Sequence, residues 1–436
     1  MNKKTLYKNI KKINKQFDII LNKKDNFFKL RKKSFNIFNK IKFLNLKNEN
    51  YKYTPISKII NNDFKFNRIN KKLKLNDNKI KNIYINIHAN HIILINGKFI
   101  KKYSKINNNK LYISNIDKAY KLNKKLFKNY FSKYVNYSSD FFLALNTSLF
   151  KDGIFIKLKD NAIIKKPIII YYILNNKNKD ILNYIRTFII IGENSQITII
   201  DYLYNIEKKE NFLNIISEII LLKNSNLNYY KIQNKINNLN KIGYTQFYQS
   251  KNSQLNTYIF TLNGNVIKNN INIKLDAENC KTNIYGLYVI NSNQHVDNQT
   301  VVDHIKPNSI SREYYKGILN DQSTGIFNGK IYVRNDAQNT NAFQSNKNII
   351  LSEKSNIKTK PQLEILANDV KCSHGATIGQ IDKNQLFYLR SRGIDRSKAI
   401  SMIIKAFIKE IIEKINIKSI KNILNITIND KLKKIF

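Results

Sequence analysis

From about residue 150 onward, apolar and polar residues alternate along the chain, which is the pattern of β-strands with one buried face. The alternating segments are rich in Ile, Tyr and Phe, which favour strands, and short Asn-Ser turns separate them. They include IIKKPIIIYYIL, RTFIIIGENSQITIID, EIILLKNSNLNYYKI and YQSKNSQLNTYIFTL. The pattern therefore predicts a mainly β region built from many short strands.

The turns between these strands recur at a nearly constant spacing. They contain Asn194, Asn224, Asn252 and Asn279, which lie 30, 28 and 27 residues apart, and an alternating strand follows each of them at once. A repeat of this length made only of short strands is typical of a β-solenoid, in which each turn of the chain buries its inner face on its neighbours. A β-sandwich is the alternative, but turn, strand and spacing recur together, which favours the solenoid. Asparagine side chains stacked at the corners would suit that fold.

Helical periodicity flanks the β region on both sides. On the N-terminal side, apolar residues at helical intervals predict one apolar helix face, formed by Phe27, Phe28, Leu30, Phe35, Phe38 and Ile41. A strand pattern follows at Ile83–Ile95, where isoleucines alternate with polar residues and tyrosine. We therefore predict an N-terminal helical or mixed domain over 1–140 and a β core over 141–378.

The C-terminal side carries clear helix signals, which predict a helical domain over 379–436. Asp382 and Gln385 form a pair like a capping box, and Gly393 can end the short helix that they begin. Asp395 then starts a longer helix with apolar residues on one face, namely Ile400, Ile403, Ile404, Phe407, Ile408, Ile411, Ile412 and Ile415. Such a stripe packs more often against its own domain than against a partner.

The net charge of +46, from 76 Lys and Arg against 30 Asp and Glu, would normally indicate a nucleic-acid partner. However, the chain also contains 71 Asn and no Trp, and Lys, Asn and Ile are all encoded by A/T-rich codons. Residues 1–150 hold 35 basic and 7 acidic residues, whereas 271–400 hold 17 and 12. Composition drift thus explains much of the charge, and we expect chemistry in the less biased stretch.

The two cysteines, Cys280 and Cys372, lie far apart, so the sequence has no framework of secreted disulfides. No run of 18 uncharged apolar residues indicates a membrane span. The basic N-terminus lacks the apolar core and cleavage site of a signal peptide. We therefore expect a cytoplasmic protein that does not interact with membranes.

Potential metal ligands concentrate between residues 295 and 374. Cys372 and His374 are two residues apart, so on a strand their side chains point to the same face, and both are ligands for iron or zinc. Two ligands do not make a stable site, so another chain would have to complete it. On spacing alone, a buried apolar cysteine and a hydrogen-bonded histidine at a strand end are the commoner situations.

Signatures of a self-contained enzyme are missing from the sequence. It has no GxxxxGK[ST], GxGxxG, HExxH, GxSxG or CxxC motif. Asp297, Asp303 and His304 could act as acid–base groups, but no nucleophile stands beside them, and we interpret them as solvated turn residues. We expect a non-enzymatic protein.

Four motifs in a fixed order, NGKIYV, TKPQLEI, CSHGATIG and LFYLRSRGI, lie between about Gln294 and Phe407. This stretch resembles the core signature of the SufB/SufD family, the scaffold subunits of the SUF machinery that assembles iron–sulfur clusters. A weaker similarity covers residues 145–173. The motif CSHGATIG is similar to the corresponding motif of SufD. In addition, Leu389 occupies the position where SufB carries a cysteine before the RG turn, so the chain resembles SufD more than SufB.

The resemblance implies a right-handed parallel β-helix with helical N- and C-terminal domains. It also implies a complex with SufB through the β-helix and with the ATPase SufC through the C-terminal domain, where ATP hydrolysis belongs to SufC. His374 corresponds to the histidine that helps hold the nascent cluster at the SufB interface, and Cys372 is a weaker candidate ligand. The cluster would be transient and shared with SufB, with no cofactor held tightly by this chain alone. Arg390, Arg392 and Phe407 are the residues that we expect to contact SufC.

Three other functions compete with this interpretation. A nucleic-acid-binding protein would need basic and aromatic residues interleaved on one face, whereas Lys is spread along the whole chain. A carbohydrate-active β-helix enzyme would need a carboxylate pair in a groove, and the acidic residues show no such cluster. A SufB-type subunit is the closest alternative, and Leu389 disfavours it unless Cys280 or Cys372 takes the place of the missing cysteine.

Overall fold

The computed structural model describes residues 12–15, 17–19, 25–41, 49–56, 59, 65–66, 80, 82–106, 108–175, 181–206 and 210–435. Its main body is a parallel β-solenoid, as the sequence predicts. Every second strand from Gly153 to Ile365 joins one sheet, and the strands between them, from Ile168 to Gly379, join the other. Each sheet receives eight of these strands, so the chain makes eight turns of two strands each.

The strands of the first sheet within the solenoid are β5 (Gly153–Leu158), β7 (Ile181–Ile191), β9 (Asn211–Leu221), β11 (Leu239–Gln249), β13 (Val266–Leu275), β15 (His295–His304), β17 (Thr324–Val333) and β19 (Asn356–Ile365). Those of the second sheet are β6 (Ile168–Leu174), β8 (Gln196–Asn205), β10 (Asn226–Lys235), β12 (Gln254–Thr261), β14 (Lys281–Ile290), β16 (Ile310–Leu319), β18 (Thr340–Ile350) and β20 (Val370–Gly379). Neighbouring strands within each sheet are parallel, and the inner faces of both sheets meet in one Ile- and Leu-rich core.

The corners of the solenoid explain why asparagine recurs in the turns. Asn194, Asn224, Asn252 and Asn279 all have positive φ angles, between 52° and 58°. Asn tolerates this left-handed backbone better than most residues. The amide of each residue donates to the side-chain oxygen of the preceding one, at 2.7 Å from Asn224 to Asn194 and 3.0 Å from Asn252 to Asn224. The ladder continues from Asn279 to Asn252 at 3.2 Å, so the expected asparagine stacking is confirmed.

The N-terminal part covers the first turn and the outer face of the first sheet. Strand β2 (Asn90–Ile95) extends the second sheet parallel to β6, and β4 (Leu111–Asn115) closes the first sheet antiparallel to β5. Two short strands extend this pairing: β1 (Lys65–Phe66) is parallel to the start of β7, and β3 (Lys98–Phe99) is antiparallel to β2. The helices are α1 (Phe28–Lys40), α2 (Ile116–Leu122), α3 (Lys124–Tyr130) and α4 (Phe141–Leu149).

The predicted N-terminal helix is confirmed as α1, and its Phe38 is buried against Phe141 of α4, with ring centroids 4.8 Å apart. The strand predicted at Ile83–Ile95 is wrong in its first half, because residues 83–89 form turns and bends. There the backbone N–H of Ile85 donates to the hydroxyl of Tyr171 at 3.1 Å instead of to a neighbouring strand. Ile83 and Ile87 are nevertheless buried, so the apolar alternation reflects burial without a strand.

Three helices follow the solenoid, α5 (Lys383–Ser391), α6 (Arg396–Glu413) and α7 (Lys418–Ile435). Asp382 caps α5 through the N–H groups of Asn384 and Gln385, and Gly393, at φ 79°, ends it, as predicted. The isoleucine stripe of α6 packs on the outer face of the second sheet and on α7, so it serves its own chain. Among the described residues, no helix is both long and apolar enough to span a bilayer.

Candidate functional site at the open end of the solenoid

The two ends of the solenoid differ. At the beginning, β2 and β4 lie against the first strands of the two sheets. At the other end, β19 and β20 are the outermost described strands, each paired on one side only, with β17 and β18 respectively. Most residues of β20 are exposed, as is half of β19. Such an edge presents unpaired backbone N–H and C=O groups and can accept another strand.

Cys372 and His374 lie on this outermost turn, in β20. Cys372 is in register with Ala342 of β18 and His374 with Gln344, both of which are buried inner residues. The two side chains thus share the inner face of the strand, as their spacing predicts. Because no further turn covers them, Cys372 is half-buried and His374 is exposed. The interpretation from spacing alone is wrong on both counts, since His374 lies in mid-strand and Cys372 is not fully buried.

The thiol of Cys372 packs against the edge of the solenoid core, and burial raises its pKa above the ordinary value. At neutral pH the thiol is therefore protonated, and it must lose its proton to bind a metal. In the part of the chain that the structure describes, no group of three or more His, Cys, Asp or Glu could hold a metal ion. The open end thus offers two donor atoms, one sulfur and one nitrogen.

A groove of about 370 Å³ runs beside Cys372 on the outer face of the second sheet. Arg312 and Lys371 give it positive charge, and Tyr314 and Phe343 give it aromatic walls. The guanidinium of Arg312 is held by the side-chain oxygen of Asn341 at 2.9 Å. The outer face of the sheet beside Cys372 is therefore cationic and partly aromatic.

The residues predicted to bind a partner occupy different environments. Arg390 lies in α5 and Arg392 directly after it, and both are exposed. Phe407 is half-buried on α6, where the amine of Lys316 stands 4.6 Å from the centre of its ring and donates to its carbonyl oxygen at 2.6 Å. Phe407 is thus less accessible than the two arginines.

Helix α5 also carries two exposed aromatic residues that the motifs in the sequence do not mark as functional. The side chain of Phe387 is 74% exposed and that of Tyr388 is 55% exposed, and the guanidinium of Arg392 lies 4.7 Å from the ring centre of Tyr388. Their signal was present in LFYLRSRG, because Phe387 and Tyr388 are the apolar residues that a single buried helix face leaves outside. With Arg390 and Arg392 they form one exposed surface, which we call the α5 surface.

The acidic and histidine residues upstream of this end belong to the body of the fold. Asp297 and His304 are buried in β15, two turns before the open end, so their interpretation as solvated turn residues is wrong. Asp297 pairs with the buried amine of Lys268 at 2.6 Å, and Asp303 pairs with Arg334 at 2.8 Å. The stretch HVDNQTVVDH is one complete strand, and these ion pairs keep its acidic residues satisfied.

Comparison with known proteins identifies two family models that together match most of the chain. The model described as SUF system FeS cluster assembly, SufBD core domain, matches residues 172–407, and the model of the SufBD protein N-terminal region matches residues 2–170. The iron–sulfur cluster assembly protein SufD of Escherichia coli is 27% identical over 377 residues, which cover 86% of both chains.

Two further relatives match a smaller part. An iron–sulfur cluster assembly SufBD family protein of Synechocystis is 30% identical over 291 residues, covering 65% of this chain and 64% of that protein. The SufD protein of Bacillus subtilis is 26% identical over 305 residues, covering 66% of each. The matched regions span slightly less than two thirds of these two relatives.

Proposed function

The chain belongs to the SufBD family of the SUF iron–sulfur cluster assembly system, and we propose that it is a SufD-type scaffold subunit that builds clusters together with SufB and SufC. The observation that carries this proposal is the bare outermost turn with Cys372 and His374 on its inner face. The two relatives named SufD, from E. coli and B. subtilis, support the SufD assignment. The nascent cluster is cargo that passes through the complex.

The open end fits a partner that is itself a β-solenoid, and we assign it to SufB. Another strand can pair with the free edge of β20, while the partly exposed apolar residues of the end turn, such as Ile357, Leu363 and Ile378, would be covered. The pairing would bring a partner's thiolates next to His374. A neutral imidazole supplied across such an interface completes a site that neither chain holds alone.

A SufB-type role is disfavoured at position 389. Leu389 lies in α5, a few residues after β20, and has no sulfur or other group that could carry sulfide or bind iron. The thiol of Cys280 offers no replacement, since it is fully buried in the core and burial raises its pKa to about 11. We therefore assign the sulfur-handling chemistry to the partner, while this chain supplies the surface, His374 as a ligand and the thiol of Cys372 as a weaker candidate donor.

SufC would dock on the α5 surface. Aromatic and arginine side chains are the residue types that dominate binding energy at protein interfaces. Here Phe387 and Tyr388 are exposed beside Arg390 and Arg392. Phe407, by contrast, is half-buried and its ring contacts the amine of Lys316. ATP hydrolysis takes place on SufC.

Co-purification of this chain with its cognate SufB and SufC tests the assignment of the two surfaces. Ile378, 49% exposed on the end turn, is replaced by Lys, and Leu122, 65% exposed on α2, is replaced by Lys as the matched control. The lysine amine at position 378 would be buried against SufB without an opposite charge or a hydrogen-bond acceptor, so it should weaken SufB binding at least about tenfold. SufC should remain bound to both variants.

Two results would contradict the proposal. If Ile378→Lys binds SufB as strongly as the wild type does, the SufB interface does not lie at the open end. If the wild-type chain retains neither SufB nor SufC, the SufD-type function itself is wrong. Circular dichroism melting of each variant checks that the solenoid is intact.

A further inference from the structure

Three polar residues form a column that ends at His374. Glu313 of β16 is in register with Gln344 of β18, and Gln344 is in register with His374 of β20. Side chains in register on neighbouring strands are separated by about 5 Å, so each can reach the next. Glu313 and Gln344 are buried inside the solenoid, and His374 is the exposed end of the column.

The amide of Gln344 is held in one orientation from below. Its Nε2 donates to the Glu313 carboxylate Oε2 at 2.7 Å. Gly329, on the facing sheet, gives this amide its space, because a Cβ at position 329 would collide with the Gln344 Nε2. The Glu313 carboxylate therefore holds the NH₂ group of the Gln344 amide on its own side, and Oε1 is the end of the amide that it does not bind.

The other end of the amide has no partner. Gln344 Oε1 is buried and accepts no hydrogen bond in the described structure. Buried polar atoms in folded proteins are almost always paired, so such an acceptor calls for a donor. The next residue along the column is His374, whose imidazole carries an N–H at one or both ring nitrogens.

We propose that Gln344 is a positioning residue for His374, accepting a hydrogen bond from one imidazole N–H through Oε1 while Glu313 holds the amide in place. This inference rests on the proposed function, in which His374 binds the nascent cluster. A ring nitrogen that donates to a fixed acceptor cannot bind metal, so the bond selects the other nitrogen as the ligand and orients the ring toward the partner. The exposed histidine thereby acquires a defined tautomer before SufB arrives.

The tautomer of His374 is measured directly on the isolated full-length chain by ¹⁵N NMR with labelled histidine. In the wild type, His374 should populate one neutral tautomer predominantly. Gln344→Leu keeps the size of the side chain and removes the acceptor, and should return His374 to the mixture of tautomers found for an exposed histidine. Glu313→Gln keeps an oxygen that accepts from Gln344 and should retain the single tautomer.

Asn346→Leu is the matched control for damage to the core. Asn346 is equally buried in the same strand but is in register with Ala376, so its removal should leave the His374 tautomer unchanged. A His374 spectrum that is the same in the wild type and in Gln344→Leu would overturn the proposal, as would an equal change in Asn346→Leu.

A second measurement uses the assembled complex. In the complex with SufB and SufC, cluster retention should fall about tenfold in Gln344→Leu relative to Asn346→Leu, which is the usual effect of losing the partner of a metal-bound histidine. Equal retention in the two variants would contradict the positioning role. If the wild-type complex forms no cluster at all, the proposed function fails, while the tautomer measurement still decides the role of Gln344.

Discussion

Single residues inside the solenoid were the hardest to assign from sequence. Asp297 and His304 stand in a stretch rich in polar residues, where burial can be recognised only if the partner is known. For Asp297 that partner is Lys268, which is 29 residues away and adjacent only through the stacking of β13 and β15. Lysine is so frequent in this chain that no single one could be singled out. The Cys372–His374 pair was predictable, because its geometry is local to one strand.

We expect the buried side chain of His304 to make the free energy of unfolding depend on pH in the acidic range. It is fully buried, its Nε2 is hydrogen-bonded to the Ser311 hydroxyl at 2.9 Å, and burial lowers its pKa from 6.5 to about 3. A lowered pKa in the folded state means that the unfolded chain takes up the proton first. This contribution to stability is therefore present above pH 6.5 and is lost as the pH falls toward 3.

The comparison uses His304→Gln and the exposed-histidine control His88→Gln. Between pH 7 and pH 5 the wild type should lose about 2 kcal/mol more unfolding free energy than His304→Gln. The His88→Gln variant should follow the wild type. Urea unfolding at pH 7, 6 and 5 measures the three slopes, and parallel slopes for wild type and His304→Gln would show that His304 is not buried as a neutral group.

At the scale of elements, the strands and their corners could be predicted because each repeat combines a period-two strand with an Asn turn. The ends of the chain could not be predicted as well. Between residues 83 and 89, Ile83 and Ile87 are buried without forming a strand, and the N–H of Ile85 donates to Tyr171; apolar periodicity alone cannot distinguish such a segment from a strand. The prediction that the α6 stripe packs on its own chain is confirmed, whereas the exposed face of α5 cannot be predicted, because only two aromatic residues mark it.

The asparagine ladder should contribute to stability in two separable ways. Asn224, at φ 56°, donates to Asn194 and accepts from Asn252. Replacing it with Gly removes both hydrogen bonds but tolerates the left-handed backbone, and we expect a loss of about 1 kcal/mol. Replacing it with Ala adds the backbone strain and should cost about 1 kcal/mol more.

Urea unfolding of Asn224→Gly and Asn224→Ala measures the two contributions. Equal stability of the two variants would mean that the backbone at this corner is not left-handed. Wild-type stability of Asn224→Gly would mean that the ladder bonds contribute nothing.

For the whole molecule, the repeat predicted a solenoid, but it could not predict which end is covered. That outcome depends on pairing between distant segments, since β2 lies against β6 and β4 against β5 at the beginning of the solenoid, and no described strand does the same for β19 and β20. The resemblance to SufD singles out the candidate ligands through CSHGATIG, which the structure places in β20 at the open end. The positive charge, concentrated in residues 1–150, was less informative, since it is weakest where the candidate ligands lie.

The most direct test of the open end as a cluster-holding surface is the iron and sulfide content of the purified complex after anaerobic reconstitution. The complex of this chain with SufB and SufC is prepared with wild type, His374→Ala and His88→Ala, the last being an exposed histidine far from the open end along the chain. All three complexes should assemble, because neither substitution alters an apolar contact. Cluster content should fall several-fold in His374→Ala alone. A full complement of iron and sulfide in the His374→Ala complex would contradict the assignment of the site.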